Sequence, residues 1–237
     1  MNTHKYQIVL QDDLLNAYYQ FKQGNAYDTM LISRLLTYYK PHLTCVAQLR
    51  RIGMEDSALY QQLTASGWVN LNNEELAQQT SLKLILSSDQ SDFPYVNILG
   101  FDSIEPNYTG TFKNKSRQKA IDHLKTLCQN AKSIYIYDPH LAKYQDRSNQ
   151  AVMQGIFDLL PMRQILLFSE KDAFLQCTKS SWKKKNPQLT FKNSSIYKDM
   201  HDRYLIIDQK VEVILSSGFD YLFDESRDFT YVVRLLH

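Results

Sequence analysis

Apolar residues recur at helical spacing through the first third of the chain. The spacing predicts four helices before residue 66, over 10–21, 29–39, 44–51 and 55–65. Two apolar stretches follow, at 81–87 and 94–99, and they predict strands that pair across a polar turn. The first part of the chain is therefore expected to be a helix-rich region with a small β element.

The pattern changes after a turn-rich stretch at 102–114, where Pro106, Asn107 and Gly110 lie close together. Beyond it, apolar runs of strand length alternate with helical patterns. The predicted helices cover 116–129, 150–160 and 171–184, and the predicted strands 133–137, 163–168, 189–192, 204–207, 211–215 and 229–235. This alternation predicts an α/β fold with a mainly parallel sheet covered on both faces. The expected regions are residues 1–108 and 109–237.

Composition separates the two regions by charge. Residues 1–108 hold 7 Lys and Arg against 11 Asp and Glu, whereas residues 109–237 hold 20 against 14. The basic second region favours an anionic partner, either nucleic acid or acidic phospholipid. Only 7 glycines are present, and the glycine-rich phosphate loops GxGxxG and GxxxxGK[ST] do not occur.

Cysteine usage and hydropathy bear on location. Cys45, Cys128 and Cys177 are scattered without CxxC spacing, which favours a reducing cytoplasm over a disulfide framework. The polar start of the chain has no signal-peptide pattern, and no apolar run reaches the roughly 20 residues that cross a bilayer. We therefore expect a cytoplasmic protein without a transmembrane segment.

The chemistry is concentrated in the segment His201–Asp208, HDRYLIID. His201 and Arg203 are two residues apart, so on an extended chain their side chains point the same way. An imidazole beside a fixed cation suits an anionic phosphate, because the cation holds the oxygens while the imidazole acts as nucleophile or acid–base group. The histidines show no metal-ligand spacing, and we expect neither a metal nor a cofactor.

This segment resembles the phospholipase D superfamily signature H-x-K-x-x-x-x-D, with Arg203 in place of the lysine. The resemblance implies that His201 attacks phosphorus to form a phosphohistidine, that Arg203 binds the phosphate, and that Asp208 supports a histidine. The family usually continues with G-S-x-N. Here the segment 215–220 is LSSGFD, which keeps a serine but has no asparagine.

Residues 109–237 are also similar, more closely, to the phospholipase D-like domain at the C-terminus of MIT-domain proteins. That group carries D-P-Y, H-D-R-E and G-x-D-Y-F in this order, and the matching segments here are DPH at 138–140, HDRY at 201–204 and GFDYLF at 218–223. The resemblance implies a phospholipase D-like αβα sandwich. It also implies membrane or protein binding without catalysis, because that is what known members of the group do.

Several positions have two interpretations. A second catalytic histidine is expected from a homodimer partner or from His140. Asp208 either orients a histidine or is a hairpin turn residue, and Ser216 and Ser217 are either phosphate donors or small residues at a strand end. The cluster Trp182, Lys183, Lys184 and Lys185 either contacts an anionic partner or forms a solvated helix end.

Two functional hypotheses result. The first is a metal-independent, phospholipase D-like phosphodiesterase of the nuclease type, acting on nucleic acid as a homodimer; proteins of this type often belong to bacterial defence systems. The second is a non-catalytic phospholipase D-like module that binds acidic membranes or a protein partner.

Overall fold

The computed structural model describes residues 6–100, 107–138, 140–145, 150–161, 164–169, 175–193 and 201–236. The chain divides into two compact units, Met1–Pro106 and Asn107–His237. Both contain helices and strands, and the α/β fold class expected from the sequence is confirmed.

The N-terminal unit contains five helices and four strands among its described residues. In chain order they are β1 (Ile8–Leu10), α1 (Asp12–Gln23), α2 (Thr29–Tyr38), β2 (His42–Leu43), α3 (Val46–Arg51), α4 (Ser57–Ala65), α5 (Asn73–Gln78), β3 (Leu84–Ser87) and β4 (Tyr95–Asn97). All four predicted helices are present. The helices α1, α3 and α4 each begin two residues later than predicted, and α2 has nearly the predicted bounds. The side chain of Asp28 caps α2 by accepting from the Met30 and Leu31 amides, as expected for an N-cap aspartate.

The strands of this unit form a parallel sheet in the order β2-β1-β3-β4. The predicted pairing of the strands at 81–87 and 94–99 is confirmed. The two strands do not form the antiparallel hairpin that a short turn between them would give. Ile85 pairs with Tyr95 in parallel register. The chain therefore turns back over residues 88–94 before β4 begins, and β4 is only three residues long.

The C-terminal unit begins with a strand. Its described elements are β5 (Tyr108–Phe112), α6 (Gln118–Gln129), β6 (Ser133–Tyr137), a 3₁₀ turn (Leu141–Gln145), α7 (Gln150–Leu159), β7 (Gln164–Ser169), α8 (Gln176–Lys185), β8 (Leu189–Asn193), β9 (Arg203–Ile207), β10 (Val211–Leu215), α9 (Phe219–Leu222) and β11 (Phe229–Leu235). The predicted strands and helices all lie in these places. The part of the predicted helix 171–184 before residue 175 lies outside the described residues.

The seven strands form one mixed sheet in the order β5-β11-β10-β9-β6-β7-β8. Only β6, β7 and β8 run parallel, and the other neighbouring pairs are antiparallel. The prediction of a mainly parallel sheet is therefore wrong. The reason is that β9 and β10 are joined by a tight turn rather than by a helical crossover, and parallel neighbours require a crossover.

Alternating burial along the strands fixes which side chains form the core. In β6, Ile134 and Ile136 are fully buried, and their neighbours in sequence are half-buried. Across the sheet, Tyr231 on β11 lies directly opposite Gly110 on β5. A Cβ atom at position 110 would lie 2.6 Å from Cε1 of Tyr231, so the glycine is there because the tyrosine ring covers it.

Candidate active site

The strand register brings several of the predicted site residues to one edge of the seven-stranded sheet. Tyr137 pairs with Tyr204, so Asp138, which follows β6, lies opposite Arg203 at the start of β9. Arg203 in turn pairs with Leu215, the last residue of β10. His201, Arg203, His140, Ser216 and Ser217 therefore share this edge, which we call the Arg203 edge.

Arg203 is held from two sides. Its Nη1 donates a hydrogen bond to the backbone oxygen of His201 at 2.7 Å. Its Nε lies 3.7 Å from Oδ1 of Asp138, which is an ion pair but too long for a hydrogen bond. The Arg203 side chain is 16% exposed and the Asp138 side chain 0%. The guanidinium is thus held in place by groups on two segments of the chain.

Asp138 is a buried carboxylate with incomplete hydrogen bonding. Oδ1 accepts from the His140 amide at 2.8 Å. Oδ2 of Asp138 and Nε of Arg203 are both buried and have no hydrogen-bond partner among the residues that the structure describes. Burial raises the pKa of Asp138 because it disfavours the charged form, and the His140 amide and Arg203 oppose that shift.

Both candidate imidazoles at this edge are exposed to solvent. His201 lies two residues before the start of β9, and His140 lies two residues after Asp138. An exposed imidazole is free to reach a ligand phosphate and to exchange protons with water. The arrangement can supply an imidazole on each of two segments of the chain and a planar cation at the start of β9.

The two serines differ in their surroundings. Ser216 is exposed, and its hydroxyl donates to the backbone oxygen of Thr230 at 2.9 Å. Ser217 is half-buried at the same strand end. Because the Ser216 hydrogen is already engaged, donation to a phosphate requires that hydroxyl to rotate away from Thr230.

Asp208 lies at the other end of β9. Its Oδ1 accepts from the backbone amides of Lys132 and Ser133, each at 2.8 Å, and its own φ is +52°. About five residues of extended strand separate Asp208 from Arg203, or roughly 16 Å. The structure therefore does not bring Asp208 to the histidines, and its contacts are those of a turn residue tied to the start of β6.

The basic cluster also lies away from the Arg203 edge. Lys183, Lys184 and Lys185 form the last turn of α8, and β8 starts just beyond, where Leu189 pairs with Ile165. This is the edge of the sheet at which β6 and β7 begin. The three lysines are exposed, and cations are favoured at a helix C-terminus by its dipole.

Trp182 belongs to the core. It is 8% exposed, with its ring centroid 6.0 Å from that of Phe191 and 5.8 Å from that of Phe157. Its ring is thus packed between two aromatic side chains instead of being offered to a nucleic-acid base.

Sequence reasoning missed two features of the Arg203 edge. Asp138 is the carboxylate that meets Arg203, and its signal was present, since it follows directly on an apolar strand. The second feature is an ion pair between Lys143 in the 3₁₀ turn and Asp220 in α9, at 3.4 Å. No local pattern indicates this pair, because its partners are 77 residues apart.

A buried arginine fixes the segment beside Asp220. Arg117 is 1% exposed and donates to four backbone oxygens. Three of them belong to Tyr221, Asp224 and Arg227, and the fourth to Lys115. Its guanidinium also lies 5.6 Å from the centre of the Phe112 ring and 5.8 Å from that of Phe229. Arg117 is therefore an internal clamp and is not part of a basic surface.

The described part of the chain contains neither a metal-binding cluster nor a membrane-spanning helix. The described residues contain no group of three or more His, Cys, Asp or Glu placed to hold a metal ion. No helix within the described ranges is both long enough and apolar enough to cross a membrane.

Comparisons with known proteins are sparse. No family model matches the chain, and no curated protein matches it. Among solved structures, a match is NucT from Helicobacter pylori, with a TM-score of 0.31 and 13% sequence identity, over 54% of this chain and 84% of that chain. A TM-score this low does not assign the chain to a family.

Proposed function

We propose that the C-terminal unit is a phospholipase D-like phosphodiesterase of the nuclease type, which acts on nucleic acid at the Arg203 edge. The observation that carries the proposal is the meeting of His201, Arg203 and His140 at one edge of the sheet, with Arg203 fixed by Asp138 and by the His201 carbonyl. The spacing of the H-x-R segment and the basic charge of residues 109–237 support the same substrate class.

In the proposed reaction, an imidazole nitrogen of His201 attacks phosphorus and the bond from phosphorus to the leaving oxygen breaks. Arg203 holds the nonbridging oxygens, whose negative charge grows in the transition state. A second imidazole gives the leaving oxygen its proton. Water then cleaves the phosphohistidine and restores His201, so the steps need no redox partner.

The second imidazole has two proposed sources. One is His140, which is exposed at the same edge. The other is the same histidine of a second copy of the chain, in a homodimer arranged around one phosphate. Activity of His140→Ala at the wild-type level selects the homodimer, whereas a large loss in a monomeric protein selects His140.

The test is cleavage of bis-p-nitrophenyl phosphate, single-stranded DNA and RNA in the presence of EDTA. Wild type is expected to cleave at least one of them and to form an acid-labile, base-stable phosphohistidine detectable by mass spectrometry. His201→Ala should abolish both signals. Lys132→Ala is the matched control, since it removes an exposed side chain at the opposite edge. Absence of cleavage and of the adduct in wild type refutes the catalytic proposal.

A binding role is the second candidate. The exposed lysines at the end of α8 favour it, and charge compensation at the Arg203 edge weakens the case for catalysis there. Arg203 faces Asp138, and Lys143 pairs with Asp220, so both cations are partly neutralised. Acidic liposomes test this role. A binding module retains liposome binding in His201→Ala and loses it when Lys183, Lys184 and Lys185 are changed to Gln, and unchanged binding in that triple variant counts against it.

A further inference from the structure

The ion pair between Asp138 and Arg203 affects how strongly Arg203 can bind an anionic ligand. Asp138 is the one fully buried carboxylate side chain that the described residues place against Arg203. The separation of 3.7 Å leaves Oδ2 and Nε each without a hydrogen bond among those residues. In a fully satisfied buried pair both groups would also be hydrogen-bonded, so this ion pair leaves hydrogen-bonding capacity on both side chains unfilled.

We propose that Asp138 is a positioning residue for Arg203 and that it couples binding of a phosphodiester at the Arg203 edge to uptake of a proton by its carboxyl group. This inference rests on the proposed function for the substrate class alone. It assigns a role to a residue that touches Arg203 and that need not touch the phosphate.

The first step of the argument is orientation. Nε faces Asp138 and Nη1 donates to the His201 oxygen, so the guanidinium plane is set by two fixed groups on different segments of the chain. Because the fork is rigid and planar, fixing those two sides determines where its remaining N–H groups point. A phosphate that binds them arrives next to the segment that carries His201.

The second step is competition. An ionised Asp138 and a phosphate oxygen are both anions that interact with the same guanidinium, and they repel one another. Protonation of Asp138 removes its negative charge, so Arg203 then interacts with the phosphate without competition from a carboxylate. The raised pKa of Asp138, caused by burial, brings this proton uptake closer to neutral pH.

The surrounding charges do not reverse this effect. Among the described residues, the charged and titratable groups that face Asp138 are Arg203 on β9 and, from the segment that follows β6, His140 and Lys143. Lys143 is itself paired with Asp220 of α9. His140 and His201 are unchanged in an Asp138 variant, so a comparison between variants separates their contribution.

The test is binding of a short oligothymidylate that carries a tetramethylrhodamine label, whose charge and emission do not change between about pH 5 and about pH 8, followed by fluorescence anisotropy. Its phosphodiesters keep a constant charge over this range, so changes come from the protein. Wild-type affinity is expected to fall more steeply with rising pH than the affinity of Asp138→Asn, by up to about tenfold per pH unit for one linked proton. At the alkaline end Asp138→Asn should bind more tightly than wild type.

Two further variants show whether the effect passes through Arg203. In an Arg203→Gln background, adding Asp138→Asn should no longer change the pH dependence of binding, because the guanidinium for which the two anions compete is gone. Asp138→Glu keeps the titrating group and should keep a steep profile. If Asp138→Asn does not fold, carbon-13 NMR of the Asp138 carboxyl replaces it, and the oligonucleotide should raise the pKa of Asp138.

The outcomes separate this inference from the proposed function. Equal pH profiles in wild type and Asp138→Asn, or a carboxyl pKa that does not respond to the oligonucleotide, overturn the inference. Absence of oligonucleotide binding by both proteins at every pH overturns the proposed substrate class as well. Binding with the expected profiles but without cleavage supports the inference and rejects only catalysis.

Discussion

A substitution at Asp208 tests whether this residue of the H-x-R-x-x-x-x-D segment takes part in catalysis or only stabilises the fold. We expect Asp208→Ala to lower the free energy of unfolding of the C-terminal unit while leaving oligonucleotide binding, and any turnover, unchanged in the folded protein. The reason is that its carboxylate accepts two amide hydrogen bonds at 2.8 Å at the edge of the sheet opposite Arg203.

The magnitude follows from these contacts. A hydrogen bond to a charged group contributes about 1.5–3 kcal/mol, and the exposed setting of Lys132 lets water replace part of it, so the two bonds together contribute about 2 kcal/mol. The φ of +52° at Asp208 adds about 1 kcal/mol when the residue becomes alanine, because alanine tolerates that region poorly. The expected loss is about 3 kcal/mol.

Fluorescence-detected urea unfolding measures this loss. The chain has 2 tryptophans, Trp68 in the N-terminal unit and Trp182 in the C-terminal unit, so Trp68→Phe makes the signal specific for the C-terminal unit. Asp208→Asn is the matched control. It keeps an acceptor oxygen and tolerates positive φ, so it should lose about 1 kcal/mol.

Either of two results would refute this reasoning. A change in stability below about 0.5 kcal/mol for Asp208→Ala would mean that the two amide contacts contribute little. A loss of turnover on the order of 100-fold or more in the folded variant would mean that Asp208 acts on the histidines in spite of its position, since that is the scale of acid–base catalysis.

Three further predictions concern other parts of the chain. Gly110→Ala should destabilise the C-terminal unit by about 1–2 kcal/mol, because the overlap of the new methyl group with Tyr231 outweighs the gain of about 0.5–1 kcal/mol from replacing a strand glycine. Unfolding followed by Trp182 fluorescence measures this change, and a variant more stable than wild type would contradict the prediction. In the N-terminal unit, burial lowers the pKa of His42 to about 4. The unfolded chain then binds the proton first, so stability should fall by up to about 3 kcal/mol as the pH drops from about 6.5 to about 4. His42→Phe, followed at Trp68 in a Trp182→Phe background, should remove that slope, and an unchanged slope would assign it to other groups. Changing Lys183, Lys184 and Lys185 to Gln should leave cleavage of bis-p-nitrophenyl phosphate unchanged, because the cluster lies at the edge away from Arg203; a loss of turnover on this small substrate would place the cluster in the active site.

Most elements of the C-terminal unit were predicted from the alternation of strand-length apolar runs with helical patterns along the sequence. The bounds of β6, β10 and β11 agree with the predicted ones, because each strand is a largely apolar run of five to seven residues. The strands β1 and β2 were missed because they are three and two residues long, too short to show a period. β5 was missed because Gly110 and its threonine neighbours resemble a turn, and the glycine is explained by the ring of Tyr231, which comes from a strand at the far end of the chain.

The site was partly predictable for a similar reason. Local spacing placed His201 beside Arg203, and strand ends indicated His140 and Ser216. The assignment of Asp208 to the same site stays unsupported by the geometry, because the extended strand β9 carries it to the opposite edge. The partners of Arg203 and Lys143 depend on strand order, which no local pattern contains.

The Arg117 clamp has a consequence for the order in which the molecule is made. The guanidinium lies near the beginning of the C-terminal unit, and its acceptors at Asp224 and Arg227 are 107 and 110 residues further along. A growing chain emerges from the ribosome beginning with its N-terminal end, so the clamp closes only after the residues up to Arg227 have been synthesised. Until then, the buried Arg117 lacks three of its four backbone acceptors, so a chain that stops before residue 221 is expected to leave this guanidinium unsatisfied.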